Sequence, residues 1–224
     1  MTNRSKSATM EKMEKERESM NITWLGHACF LLEQDGFLAL VDPYRGVEGY
    51  GDLHARAHAV YCSHGHDDHS YTGGVTLLGG KANPFTVREI ESFHDDRGGA
   101  LRGANKIRCF TAGGVTVVHL GDLGHLLSPE QVDEIGPCDV LLLPVGGVYT
   151  VDAPAAKAVA EQIAPRCIVP MHYRHAPYGL SAVDGVERFA ALYGKEEVEW
   201  AGSNRFAVTA EPLPPVLVLR YRAE

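Results

Sequence analysis

Ser63-His64-Gly65-His66-Asp67-Asp68-His69 crowds histidines and aspartates into one short turn. Neutral imidazole ligates zinc and neighbouring transition metals well, and carboxylate oxygen complements it. His64 and His66 are two residues apart, so an extended backbone points both rings to one side. Asp68 and His69 follow as the chain turns and can face a second ion. The pattern H-x-H-x-D-H therefore points to metal chemistry. The competing reading is a solvated loop that happens to be rich in histidine. It fits poorly, because buried polar groups need partners and a metal would supply them.

Strands must hold such a turn in place. Apolar Ala59-Val60-Tyr61-Cys62 reads as a buried strand running into the motif. Upstream, Ile22-Thr23-Trp24-Leu25 is a strand, Gly26-His27-Ala28 breaks it, and Cys29-Phe30-Leu31-Leu32-Glu33 resumes it. Asp35-Gly36 is a hairpin signal leading to Phe37-Leu38-Ala39-Leu40-Val41, which ends in Asp42-Pro43. This mixed apolar content predicts a sheet covered on one face. Residues 43–57 read as irregular. Downstream, Phe85–Ile90 is a strand leading to His94, and Ile107–Thr111 pairs with Val115–Leu120 about Gly113-Gly114. Strand and helix then alternate. Ser128 caps a helix with Pro129 in its first turn and Gln131 completing a capping box. Val140–Pro144 is a buried strand, and Asp152 caps an alanine-rich helix through Gln162. Ile168–Met171 is a strand ending at His172-Tyr173, a helix is expected over about Ser181 to Leu192, and Val216–Arg220 is a terminal strand.

His64-Gly65-His66-Asp67-Asp68-His69 resembles the signature of the metallo-β-lactamase superfamily. The resemblance implies an α/β fold, the αββα four-layer sandwich, as one hydrolase domain over residues 21–224, while the polar, charged residues 1–20 read as a flexible tail. The resemblance also implies the remaining ligands, each where a predicted strand runs out into a loop. His94 would join His64 and His66 around a first ion, with a coordination position left for water. His172 would join Asp68 and His69 around a second, and Asp122 would bridge the two. Asp122 read alone is also a turn residue after Gly121. Histidine rather than an acidic residue at position 66 favours zinc hydrolysis over di-iron redox chemistry, while ligand types leave manganese, iron and nickel open.

Trp24-Leu25-Gly26-His27-Ala28-Cys29, Val41-Asp42-Pro43, His119-Leu120-Gly121-Asp122 and Met171-His172-Tyr173 are similar to the L-ascorbate-6-phosphate lactonase-like branch. That branch also holds phospholipase D-type phosphodiesterases. Asp42 is either an acceptor for the N–H of a ligand histidine or an Asp-Pro turn residue. His27 either lines the site or satisfies local backbone. His119 is a candidate donor to developing charge, beside Asp68 as ligand and orienter of the nucleophilic water. His125 and Tyr173 are pocket candidates by adjacency, and His54, His58 and His175 read as ordinary surface or boundary residues.

The chain has 224 residues, Lys+Arg 21, Asp+Glu 29 and a net charge of −8. No basic cluster stands out, which disfavours nucleic acid as a partner and with it an RNA-processing nuclease. The 5 cysteines are scattered without C-x-x-C, so buried thiols and a reducing, cytoplasmic setting are expected. No secretory signal or membrane-length apolar run is visible. There is no G-x-S-x-G elbow and no phosphate loop. The residues thus predict a hydrolase that uses two divalent ions on a small-molecule substrate. Esters and lactones come first and phosphodiesters second, with a non-catalytic metal sensor or partner module as the rival class. Association into a homo-oligomer is left open.

Overall fold

The computed structural model describes residues 19–209 and 211–221. Of the tail expected at 1–20, residues 1–18 lie outside the described residues, while Met20 already opens the first strand. Strands β1 (Met20–Gly26), β2 (Cys29–Gln34) and β3 (Phe37–Val41) form a meander. Next come β4 (Ala55–Ala57), β5 (Ala59–Tyr61), α1 (Asp67–Ser70) and β6 (Val75–Leu77). A second meander is built from β7 (Thr86–Phe93), β8 (Ala104–Ala112) and β9 (Val115–His119). The alternating part comprises α2 (Pro129–Ile135), β10 (Val140–Pro144), α3 (Ala153–Ile163) and β11 (Cys167–Met171). The chain ends with α4 (Glu187–Ala190), β12 (Val198–Trp200), β13 (Arg205–Val208) and β14 (Val216–Val218).

Two large sheets result, ordered β13-β1-β2-β3-β5 and β12-β14-β11-β10-β9-β8-β7, beside a two-stranded β4-β6 sheet. Alternation along β1 to β3 sends Ile22, Trp24, Phe30, Leu32, Ala39 and Val41 into a core shared with the second sheet. Every residue of β10 and β11 is buried, as expected of parallel strands covered on both faces. Burying each such Leu or Val contributes roughly 1.5–3 kcal/mol, so the core does not lean on the site for stability.

The Asp35-Gly36 turn has φ of 52° and 70°, the left-handed pair that a two-residue hairpin of this twist requires. Both expected helix starts are present. Ser128 Oγ accepts from Gln131 N–H and Ser128 N–H donates back to Gln131 Oε1, at 3.2 and 3.0 Å. Asp152 Oδ1 accepts from Ala155 N–H at 3.0 Å, and α3 lays Ala156, Val159, Ala160 and Ile163 against the core.

The structure differs from expectation in four places. The first sheet is covered on both faces, because Cys29 and Leu40 pack on Tyr44, Val47, Tyr50 and Leu53 of the irregular segment. That segment also carries β4, paired in parallel with β6, which the sequence does not signal. The helix expected over Ser181–Leu192 shrinks to α4. Asp184 N–H donates to Gly146 O, and Asp184 O accepts from Arg174 N–H, so tertiary partners use backbone groups that a helix would need. Strands β12 and β13 were not anticipated. β13 crosses to the first sheet and pairs antiparallel with β1.

Candidate metal centre

Strand direction explains which residues meet. β3 runs parallel to β5, and β9, β10 and β11 are mutually parallel. β1 lies two antiparallel steps from β3, and β7 two such steps from β9, so these pairs share directions. The carboxyl ends of these strands carry His27, Asp42, the 63–69 motif, His94, Asp122 and His172 to one place. Loops there can carry chemistry because the strands hold them rigidly.

Two clusters of donors form. The ligand atoms of His64, His66 and His94 all lie within 4.8 Å of one another, as do those of His27, Asp68, His69 and His172. Asp122 sits between them. Its Oδ2 is 3.0 Å from His94 Nε2, 3.2 Å from His69 Nε2 and 3.3 Å from His172 Nε2. Its Oδ1 is buried without a hydrogen bond, and so are the Nε2 atoms of His27, His64, His69 and His172. Native interiors rarely leave so many polar atoms unpaired, and their convergence is what a cation resolves. These histidines and aspartates are positioned to bind metal.

The rings are held from behind. Asp42, fully buried, accepts from His69 Nδ1–H at 2.8 Å, from Ser63 Oγ–H at 2.6 Å and from Ser63 N–H at 2.6 Å. Ser63 Oγ in turn lies 2.9 Å from His64 Nδ1 and accepts its proton. One carboxylate thereby sets the tautomer of two histidines and frees both Nε2 atoms. His94 Nδ1–H donates to Tyr149 O at 3.0 Å with the same result. Asp122 N–H donates to Asn105 Oδ1, and Asn105 is fixed by Ser92 Oγ and Leu120 O. Gly121 is obligatory there. Its φ is 56°, and a Cβ would lie 2.3 Å from Asn105 Oδ1 and 2.5 Å from Ser63 Cβ.

Electrostatics follow from this packing. Burial, then the neighbouring His172, lowers His27 to about 4, and burial, then His69, lowers His64 to about 4. Both are neutral at ordinary pH, the form that ligates. Burial pushes Asp122 up, but His172 and His69 outweigh it and hold the carboxyl well below its usual range. Burial pulls His69 down, while Asp122 and Asp42 carry it well above the ordinary histidine value. Carboxylates that favour a proton on His69 favour a dication in its place.

A family model described as "Beta-lactamase superfamily domain" matches residues 21–172. The chain belongs to the beta-lactamase superfamily. A UPF0173 metal-dependent hydrolase of Carboxydothermus hydrogenoformans is 30% identical over 201 residues, 70% of this chain and 86% of that protein. Another, from Anaeromyxobacter sp., is 30% identical over 234 residues, 81% and 84% respectively. A crystal structure from Thermotoga maritima, provisionally assigned as a zinc-dependent hydrolase of the metallo-beta-lactamase superfamily, shares 32% identity. It has a TM-score of 0.70 and covers 91% of this chain and 100% of that one.

Within this superfamily member, some sequence-predicted residues do other work. His119 is fully buried, its Nε2–H donating to Ala28 O at 2.8 Å and its Nδ1 accepting from Gly121 N–H at 3.0 Å. Both nitrogens are taken by backbone, so it has no donor for substrate and instead ties the β1–β2 corner to the Asp122 turn. Tyr173 faces inward against Trp24, its hydroxyl 3.5 Å from Leu219 O, rather than into a pocket. His125 borders a neighbouring groove, with Nε2 accepting from Phe93 N–H and Nδ1–H donating to Leu126 O. His27, which the sequence leaves between the site and the local backbone, joins the donor cluster. The Asp-Pro turn reading of Asp42 and the turn reading of Asp122 find no local backbone bond from either carboxylate. His175 is half-buried among Trp24, Tyr50, Tyr178 and Tyr221, an aromatic cluster the sequence does not announce.

Sequence reasoning missed Asp95 and Arg102. Asp95 accepts four backbone N–H groups, from Arg97 and Gly99 at Oδ1 and from Leu101 and Arg102 at Oδ2. That organises the loop carrying Arg102 to the mouth of a cleft of about 310 Å³ lined by His66, Asp68, His94, Asp122, Tyr149, His172 and Leu180. The Asp95-Asp96-Arg97-Gly98-Gly99 run is the only local hint, an Asx-type turn before glycines.

Proposed function

We propose that the chain is a binuclear metal-dependent hydrolase acting on a small ester or lactone. The observation that carries this is the convergence of unbonded, buried Nε2 atoms on Asp122 at the floor of an open cleft. His64, His66 and His94 would hold one ion, His69, Asp68 and His172 the other, and Asp122 would lie between them. When bound, such ions, zinc first by donor type, supply a nucleophilic water at neutral pH and Lewis acidity toward an ester oxygen. Asp68, half-buried at the cleft wall, orients that water, and Asp42 keeps the tautomers of His64 and His69 fit for ligation. Leu180 and Tyr149 give the substrate an apolar wall, and the cleft suits a small molecule. The lactonase-like motifs support the ester or lactone reading.

A phosphodiester is the second reading, and Arg102 favours it. Its guanidinium lines the cleft, donates to Val148 O at 3.0 Å, and lies 5.7 Å from the Tyr149 ring centre. A planar fork of donors there would receive an anionic group. Zinc-loaded protein assayed against neutral lactones, anionic lactones and phosphodiesters separates the readings. Turnover should vanish with chelation and return with zinc or manganese. Full activity in metal-free protein would end the hydrolase proposal as stated.

A further inference from the structure

We infer that His27 is a further side-chain ligand, beside the shared Asp122, of the ion held by Asp68, His69 and His172, so that the two metal positions are unequal. The inference rests on the hydrolase reading above, but concerns a residue which that reading does not use.

His27 is built for a fixed direction. It sits at φ 51° in the β1–β2 corner, after Gly26 at φ 106°. A Cβ on Gly26 would lie 2.5 Å from the Tyr50 ring, so the corner has one tight arrangement. The carbonyl of His27 accepts from Trp24 Nε1–H at 3.0 Å and from His172 N–H at 3.2 Å, which locks it to the end of β11. Its ring centre is 4.2 Å from that of His172 and 5.1 Å from that of His69. The ring is 1% exposed, and its Nε2 makes no hydrogen bond. Asp68 Oδ2, 3.4 Å away, is near enough for charge attraction only. Left-handed backbone and a sealed, idle nitrogen are both costly, and they persist where something else uses the geometry.

Donor spacing fits an ion. Ligand atoms about 2.0–2.2 Å from zinc in a tetrahedron are roughly 3.3–3.6 Å apart. The ligand atoms of His27, Asp68, His69 and His172 all fall within 4.8 Å of one another, close enough to contract onto one centre. Asp122 counts equally toward both ions, so with His27 the second ion has one side-chain donor more than the ion of His64, His66 and His94, and the more fully furnished site is the one that retains its metal. The His27 position should therefore fill first and empty last.

Stepwise removal of zinc with a chelator, read as metal per chain by plasma emission, tests this in the intact protein. Wild type should lose its ions in two separated steps. His27→Gly, which suits the positive φ, should lose the late step, with the retained ion weakened by more than the roughly 10–100-fold typical of outer-shell partners. Added imidazole should restore it. His27→Gln keeps a donor toward Asp68 but ligates poorly, so it should behave like the glycine variant. Circular dichroism confirms folding, and the cobalt-loaded late site should change its visible absorption in both variants. Two unchanged steps and an unchanged cobalt spectrum in both variants would show that His27 merely neighbours Asp68. A weakening confined to His27→Gly and repaired in His27→Gln would do the same. Wild-type protein that takes up no zinc would sink the hydrolase reading itself.

Discussion

Asp122 and Asp42 do opposite jobs with the same functional group. Asp122 turns Oδ2 toward three imidazoles and leaves Oδ1 without a hydrogen bond, while Asp42 uses both oxygens behind them. Asp122→Asn keeps the shape but removes the charge that would hold two dications together. Bound zinc should fall from about two ions to about one or fewer on the two-metal scheme, with hydrolysis down by orders of magnitude. Metal content beside wild type decides it, and two retained ions with normal turnover would refute the bridge. Asp42→Asn acts through a tautomer. An amide N–H would confront His69 Nδ1–H, so the proton moves to Nε2, the atom needed for ligation. Zinc affinity should drop by roughly 10–100-fold while the metal-free fold stays intact. Competition against a chromophoric chelator measures it, and unchanged affinity would show that the His69 tautomer is set elsewhere.

The elements around the centre offer separate tests. Ser128→Ala and Asp152→Ala each remove a helix N-cap whose side chain is not among the proposed ligands. Each should lower stability by about 1 kcal/mol without changing metal content, as thermal unfolding and metal analysis will show. Asp95 governs a loop instead. Burial raises its carboxyl, but N–H groups from Arg102, Arg97, Leu101 and Gly99 outweigh this and bring it to about 2. A folded value below the unfolded one, about 3.9, stabilises the loop above that pH and loses the effect as pH falls toward 2. Protection of the Arg97, Gly99, Leu101 and Arg102 amides from hydrogen exchange, compared with those of β8, should decline across that window. In Asp95→Ala it should already be low at neutral pH. Loop amides that stay as protected as β8 at pH 2 would assign their order to other contacts.

For the whole molecule the question is whether metal builds the fold. The core between the sheets contains Trp24, Phe30, Phe110, Leu142 and Val169, all but fully buried and contributed by strands rather than by the motif. Small zinc modules lack such a core and unfold without their ion. His66→Ala should therefore lose metal and activity yet keep its circular dichroism spectrum. Its unfolding free energy should fall only by the linkage contribution of the lost ion, about 2.7 kcal/mol at a hundredfold excess over Kd. Global unfolding of this variant would make the centre structural. Among the described residues no helix is long and apolar enough to cross a membrane, and the cysteines are all free, four of them buried.

Local signals were legible in the sequence because local physics sets them. Two-residue spacing aligned His64 with His66, Asp35-Gly36 demanded a hairpin, and Ser128 and Asp152 announced their helices. The superfamily fold followed from the motif's resemblance, and His94, Asp122 and His172 could be named because that resemblance places ligands where predicted strands run out into loops. Orientation was not legible, because it depends on what lies across the fold. His119 and Asp122 are three residues apart, yet Ala28 from another sheet turns one ring away while three histidines surround the other's carboxylate. Tyr173 follows His172 but faces Trp24, because the chain leaves β11 through a left-handed His172 at φ 52°. The helix expected from 181 was overridden by hydrogen bonds to Gly146 and Arg174. His27, Asp95 and Arg102 acquire meaning only when strands distant in sequence end side by side. Residue types and spacing thus determined the chemistry on offer, and tertiary packing decided which side chains turn their lone pairs to it.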